Sequence, residues 1–361
     1  MSGTKTSLTS RERVNRALSR QDHDRVPRRD GPWPETLDRW RSEGFSGDFD
    51  QWLGSDISNV SWSWPKPFPG QETLISEDAE TQVIRDAMGK TQRTWKHKFG
   101  TPEHISFDCD SREKWTQIYK PALLSHQVHL DVKSAREAFD HARSQDKWTY
   151  LASIESFEAI RQLMGDEVTL MTMAEDPDWI RDLSITYTDL VLRDYDAVLE
   201  AGARPDGIWV FGDIAYSRGP FFSPQMYREL IWPDHKRMGD WAHDRGMKFI
   251  YHTDGDVRPL IPSLIETGAD CLQPLEAKAG MDIRELVPQY GDRLSFFGNI
   301  DMTVANTNDL DLVEHEVRSK LEAGMSIKGY LYHSDHSVPP GVSWATYRFI
   351  VELLDRYGNY H

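Results

Sequence analysis

His252 and Asp254 are separated by a single residue. On an extended segment, residues i and i+2 point the same way, so this imidazole and carboxylate can share one metal ion. Glu276 and His336, further along the chain, would complete a set of two imidazole nitrogens and two carboxylate oxygens. Such donors suit Zn, Fe, Mn or Co better than Cu(I), which favours thiolates. The structural alternative is a hydrogen-bonded His–Asp pair that holds a loop. His333 lies three residues before His336 and could be a further ligand or order a substrate; Asp335, between them, would orient a histidine from behind. Asp213 reads as a general base, a substrate anchor or a helix cap. Arg218 reads as a clamp for a carboxylate or as a solvated loop charge.

These residues share a position. Each follows an apolar run: Asp213, Tyr216 and Arg218 follow Ile208–Phe211, His252 and Asp254 follow Phe249–Tyr251, and Glu276 follows Cys271–Leu275. Asn299 and Asp301 follow Phe296-Phe297, and His333 to His336 follow Tyr330–Tyr332. The apolar runs near residues 26, 58, 149, 208, 249, 271, 295 and 330 predict eight strands alternating with helices, which is the pattern of an α/β chain closed into a (β/α)8 TIM-type barrel. In such a barrel the chemistry sits where strands end. Thr9 and Glu12 have capping-box spacing and predict a helix start. Helices are predicted at about 35–43, 155–164, 177–201, 256–267, 282–289, 309–323 and 343–356, and Ser223-Pro224 starts another. Residues 1–8 read as a disordered tail and 9–361 as a single barrel domain. The β-prone stretches Thr81–Arg85 and Lys90–Lys98 predict a β-hairpin inserted at about 70–108. No Gly-x-Gly-x-x-Gly, P-loop or Gly-x-Ser-x-Gly motif occurs.

Composition sets the partners. Of 361 residues, 42 are Lys or Arg and 58 Asp or Glu, a net charge of −16 that argues against nucleic acid and anionic membranes. No run approaches the ~18 apolar residues of a membrane span. Two cysteines and no visible signal segment point to a reducing, cytoplasmic setting. Thirteen Trp is high for this length. Trp33, Trp62, Trp64, Phe221 and Phe222 are candidates for pocket walls, or else for core packing.

Several stretches carry a family resemblance: TSRERVNRALSRQDHDRVP at 9–27, GPWPETLDRW at 31–40, GDIAYSRGPFFSP at 212–224, HTDGDVRPLIPSLIETGAD at 252–270, FFGNIDM at 296–302 and SDHSVPPGVS at 334–343. Together they resemble the uroporphyrinogen decarboxylase-like superfamily, which also holds zinc-dependent methylcobamide methyltransferases. The Arg-Gln-Ala-Gly-Arg-Tyr segment of true uroporphyrinogen decarboxylases is replaced here by Arg28-Arg29-Asp30-Gly31-Pro32-Trp33. The resemblance places the methyltransferase His on His252, its two thiolate ligands on Asp254 and His336, and a related Glu on Glu276. Loss of both thiolates implies a harder metal, suited to activating an oxygen. The resemblance thus implies a metal-dependent methyltransferase or demethylase that moves a methyl group from a small methoxylated aromatic to a corrinoid carried by a separate protein. The divalent metal would be Zn, with Fe, Mn or Co as alternatives. Asp213, Tyr216, His333 and Asp335 would handle protons; Trp33, Arg218, Phe221, Asn299 and Asp301 would contact substrate. The alternative implied is a metal-assisted or cofactor-free decarboxylase of a small aromatic acid. By analogy with the superfamily, a homodimer is expected.

Overall fold

The computed structural model describes residues 8–98 and 100–360. The predicted tail at 1–8 therefore lies outside the described residues apart from Leu8, whose N–H reaches Asp24 Oδ2 at 3.2 Å. Helix α1 (Ser10–Leu18) opens with the capping box: the Glu12 N–H donates to the Thr9 hydroxyl at 3.2 Å, and the Thr9 N–H to the Glu12 carboxylate at 3.0 Å. Its buried face, Val14, Ala17 and Leu18, packs with Ile57, Trp148, Ile250, Cys271 and Leu331. Those partners are interior side chains of the barrel, so α1 plugs its lower end. Trp148 Nε1 donates to Asn15 Oδ1 at 2.9 Å and fixes the plug.

The strands run in order β1 (Ile57–Ser63), β2 (Thr73–Glu77), β3 (Thr81–Arg85), β4 (Lys90–Trp95), β5 (Glu103–Phe107), β6 (Trp148–Ile154) and β7 (Gly207–Phe211). A small hairpin, β8 (Ala215–Tyr216) and β9 (Gly219–Pro220), follows. Then come β10 (Lys248–Thr253), β11 (Cys271–Pro274), β12 (Ser295–Phe297) and β13 (Tyr330–Leu331). Seven of these form one parallel sheet, β1-β6-β7-β10-β11-β12-β13, curled into a barrel with helices outside. The longest helix, Pro177–Glu200, buries Ile180, Leu183, Tyr187, Leu190, Val191 and Val198 in that outer layer.

The predicted first strand is a correction. Residues 24–30 form isolated bridges rather than a regular strand. Pro27 has no N–H to give to a ladder. The segment still fills the eighth place. Tyr332 N–H donates to Pro27 O at 2.8 Å and Arg29 N–H to Tyr332 O at 3.2 Å on one side; Asp56 N–H donates to Arg28 O at 2.9 Å on the other. The barrel thus closes through an extended linker between β13 and β1.

The insertion also differs from the predicted hairpin. It is a four-stranded antiparallel sheet, β2-β3-β4-β5. β2 is exposed along its whole length and β5 along most of it, so neither shows the alternation that marks a half-buried strand. A helix at Asp166–Glu175, set off from its predecessor by Gly165 at φ +79°, had no sequence signal of its own. Among the described residues no helix is long and apolar enough to cross a membrane. Both cysteines are free and buried.

Candidate functional site

The ends of β7 and β10 lie side by side, because His252 pairs in register with Phe211 and Gly212 N–H donates to His252 O at 3.1 Å. This brings Asp213, His252 and Asp254 together: one ligand atom from each lies within 4.8 Å of the others. His252 Nε2 stands 3.9 Å from Asp213 Oδ1, which also accepts the Asp254 N–H at 2.9 Å. His336 Nε2 is 3.7 Å from Asp254 Oδ2, and its ring stacks on Trp33 with centroids 6.3 Å apart. Gly255, at φ +83°, makes the next turn; a Cβ there would come within 2.6 Å of the Ala215 backbone.

The tautomer of His252 follows from its neighbours. The indole N–H of Trp209 can only donate, and it donates to Gln273 Oε1 at 3.0 Å. That atom is therefore the amide oxygen, and His252 Nδ1, 2.5 Å from it, must carry the proton. Nε2, toward Asp213, is then the ring nitrogen open to a metal, the arrangement a metal-binding imidazole needs. Asp254 Oδ1 is buried and accepts no hydrogen bond among the described residues. Burial raises the Asp254 carboxyl above the usual range; His252 and His336 pull against that, and Asp213 and Glu276 reinforce it. A bare carboxylate oxygen, a free imidazole lone pair and a second carboxylate form a donor set that fits a divalent cation.

Glu276 stands beside this group but is already occupied. Its Oε2 accepts the Gly255 N–H at 2.7 Å and its Oε1 pairs with Lys278 at 3.0 Å. Asp213, assigned by sequence to proton handling, is thus the carboxylate that joins the tight group, while Glu276 braces the loop carrying Asp254.

Several expected site residues are held by backbone groups instead. Asn299 is fully buried, with Oδ1 on the Ile283 N–H and Nδ2 on the carbonyls of Leu275 and Met281. These bonds hold it at φ +81°, a region Asn tolerates better than most residues. Asp301 caps the helix Met302–Ala305 through the Thr303 N–H. Asp335 accepts the N–H groups of Met302 at 2.9 Å and Ala277 at 3.1 Å; burial pushes its carboxyl up to about 6 against those donors. Arg218 lies in the exposed turn between β8 and β9, with no ion pair or hydrogen bond among the described residues. Tyr216 is 51% exposed on the same hairpin and touches Phe221, ring centroids 5.7 Å apart.

A cavity of about 250 Å³ opens into the upper barrel interior below His252. Trp62, Trp209 and Phe297 supply flat walls, and Gln273, His333 and Arg29 supply polar atoms. Trp209 and Gln273 belong to both places: they line the cavity and hold His252, the Trp209 ring lying 4.8 Å from the imidazole. His333 gives Nδ1–H to Ser334 O at 2.6 Å, which leaves Nε2 free. Burial lowers its pKa, with Arg29 and His252 adding to that and Asp30 and the Ser334 carbonyl opposing. Sequence reading missed Gln273 and Arg29. The signal for Gln273 was a polar residue inside an apolar strand, at the register position opposite His252.

A closed parallel barrel with metal-type donors on the carboxyl ends of its strands defines the class. The family follows from direct comparison: residues 143–357 match the family described as Uroporphyrinogen decarboxylase (URO-D), and the chain belongs to it. Among solved structures it is similar to a methyltransferase from Methanosarcina mazei, at 15% identity over 97% of this chain and 99% of that one, with a TM-score of 0.68. A sugar phosphate isomerase/epimerase from Parabacteroides distasonis aligns at 8% identity over 73% of this chain and 97% of that one, with a TM-score of 0.27, too low to bear on the fold. No curated protein matches.

Proposed function

We propose that this protein is a metal-dependent methyltransferase of the URO-D family that demethylates a small methoxylated aromatic, with a corrinoid on a separate protein as methyl acceptor. The observation that carries the reading is the unsatisfied Asp254 Oδ1 beside the Nε2 lone pair of His252 and the carboxylate of Asp213. Asp213, His252 and Asp254 would hold a divalent cation, with His336 next in reach. Zn is the first choice and Fe, Mn or Co the alternatives; the donor set excludes thiolate-demanding metals. When bound, the metal supplies Lewis acidity toward an ether oxygen.

The chain's own residues do the rest. Trp62, Trp209 and Phe297 bind the ring and exclude water from it. Gln273 fixes the His252 imidazole. In the proposed transfer the O–CH3 bond would break with its bonding pair staying on the phenolic oxygen, and the methyl group would go to the corrinoid acceptor, which would supply the electron pair of the new bond. His333 Nε2 faces the cavity and can relay the proton that oxygen takes up. Methyl transfer is also the activity named for the Methanosarcina mazei structure that shares the fold. The two free, buried cysteines accord with a cytoplasmic setting.

Decarboxylation of a small aromatic acid is the second reading, favoured by the family's own description. One assay separates the two. Metal-loaded protein is mixed with cob(I)alamin and a panel of methoxybenzenes and methoxybenzoates, and products are resolved by chromatography. A phenol formed together with methylated cobalamin, and absent with Asp254→Asn, is the expected result. Carbon dioxide release with the methoxy group intact would put decarboxylation in its place.

A further inference from the structure

The cavity contains a charge that the reading above does not use. Along the closing segment, side chains alternate between the two faces. Arg28 turns outward to Asp355 at 2.8 Å, and Asp30 turns outward to the hydroxyls of Tyr347 and Ser334, each at 2.7 Å. Arg29, between them, turns inward and lines the cavity. Its guanidinium meets Asp50 Oδ1 at a long 3.4 Å, and the Tyr150 hydroxyl also faces it. That Asp50 oxygen is shared, since it already takes the Ser55 hydroxyl at 2.6 Å. Arginine presents five N–H donors in a fork matched to a carboxylate, and here that fork lines the cavity with the Tyr150 hydroxyl and one long contact to Asp50 as its neighbours.

The surroundings define the anion that would complete it. The cavity, at about 250 Å³, is below the ~300–1,000 Å³ typical of drug-sized ligands and so suits a single ring. Trp62, Trp209 and Phe297 offer flat faces to that ring. Arg29 is the one Arg or Lys among the residues lining the cavity, a single fixed positive charge that suits a monoanion. A dianionic phosphate would carry excess negative charge toward Asp213, Asp254 and Glu276. We propose that the cavity takes a monocyclic aromatic carboxylate, its carboxylate on Arg29 and its ring between Trp62, Trp209 and Phe297, so that another ring substituent faces His252. Arg29, rather than the exposed Arg218, is then the residue that selects an acid. This inference rests on the aromatic-substrate reading of the same site and narrows it.

The test is calorimetric titration of the full-length, metal-loaded chain with 3-methoxybenzoate, 3-methoxybenzamide and inorganic phosphate. The acid is expected to bind about 10- to 100-fold tighter than the amide, the range of a hydrogen bond to a charged group. Arg29→Gln should erase that ratio and Arg29→Lys should keep part of it, with circular dichroism confirming that both variants fold. The acid-to-amide ratio of the unaltered protein stands even if a variant fails to fold. Equal binding of acid and amide, a ratio that survives Arg29→Gln, tighter binding of phosphate, or no binding of either arene would each overturn the proposal. The activity reading fails separately: an acid that binds through Arg29 yet is never demethylated contradicts methyl transfer alone. Demethylation of neutral methoxybenzenes unaffected by Arg29→Gln contradicts the carboxylate clamp alone.

Discussion

Asp56 and Asp254 are carboxylates at opposite ends of one barrel, and they are wired in opposite ways. Asp56, fully buried at the lower end, accepts the Ser10 hydroxyl at 2.6 Å, Arg13 and Arg25 at 2.7 Å each, and the Arg28 N–H at 2.9 Å. It ties the plug helix α1 and the closing segment to β1. Asp254, at the upper rim, leaves one buried oxygen with no partner among the described residues. A buried polar group that is satisfied by its own chain is built for stability; one that is not needs something from outside. The same division runs around the rim itself. Asn299 and Asp335 spend their polar atoms on backbone groups of neighbouring loops, whereas Asp254 keeps one buried oxygen without a partner among the described residues, within 4.8 Å of ligand atoms of Asp213 and His252. Residue type at a strand end does not distinguish them; saturation does.

The contrast can be broken first by exchanging charges. Asp56→Ala removes the buried carboxylate that the Ser10 hydroxyl, Arg13, Arg25 and the Arg28 N–H share and is expected to cost about 3–5 kcal/mol in urea unfolding. Asp254→Asn in the metal-free protein should change stability by less than about 1 kcal/mol, because it removes a charge that has no firm partner. Equal losses would erase the distinction. The next test concerns the cation. His252→Ala and Asp254→Asn should each weaken divalent metal binding at least about tenfold, and Gln273→Leu about 10- to 100-fold by freeing the imidazole, as read by competition with a chromogenic chelator. Unchanged affinity in Gln273→Leu would remove the tautomer argument. Asn299→Ala should do the reverse: lose about 1–3 kcal/mol of stability through orphaned backbone groups while metal content stays constant.

The smallest effect lies in acid. Partial burial alone would raise the Asp24 carboxyl, but its hydrogen bonds and ion pair with Arg13, helped by the Arg25 and Leu8 N–H groups, hold it at about 2 against an ordinary 3.8. A lowered folded-state pKa gives stability that is complete above the unfolded value and is lost as pH falls. Thermal unfolding should therefore lose stability as pH drops from 3.8 toward about 2, and Asp24→Asn should flatten that part of the profile. A profile that is the same in the variant would detach Asp24 from the lower seam.

Much of this was legible in the chain. The capping box at Thr9 marks the start of α1, and the apolar runs with the polar residues after each of them mark the rim. Three things were hidden, each for a physical reason. Arg29 lies far in sequence from His333, and only barrel closure brings them to one cavity. Gln273 sits in an apolar strand, and its role depends on register with His252 and on the Trp209 indole. Each of Asp213 and Glu276 accepts one backbone N–H, and the difference between them is Lys278, which pairs with the other Glu276 oxygen. Spacing gives no access to that. The exposed strands of the inserted sheet carried no period from which to read them.

The central claim is that the β7 and β10 ends form a cation site, and metal stoichiometry tests it most directly. Purified protein and Asp254→Asn would be loaded with Zn, Fe or Mn, dialysed, and measured by inductively coupled plasma mass spectrometry. About one ion per chain in the unaltered protein, falling well below that in the variant, is the expected result for a protein-held catalytic metal. No retained metal in either protein after loading, or equal retention in both, would contradict the claim.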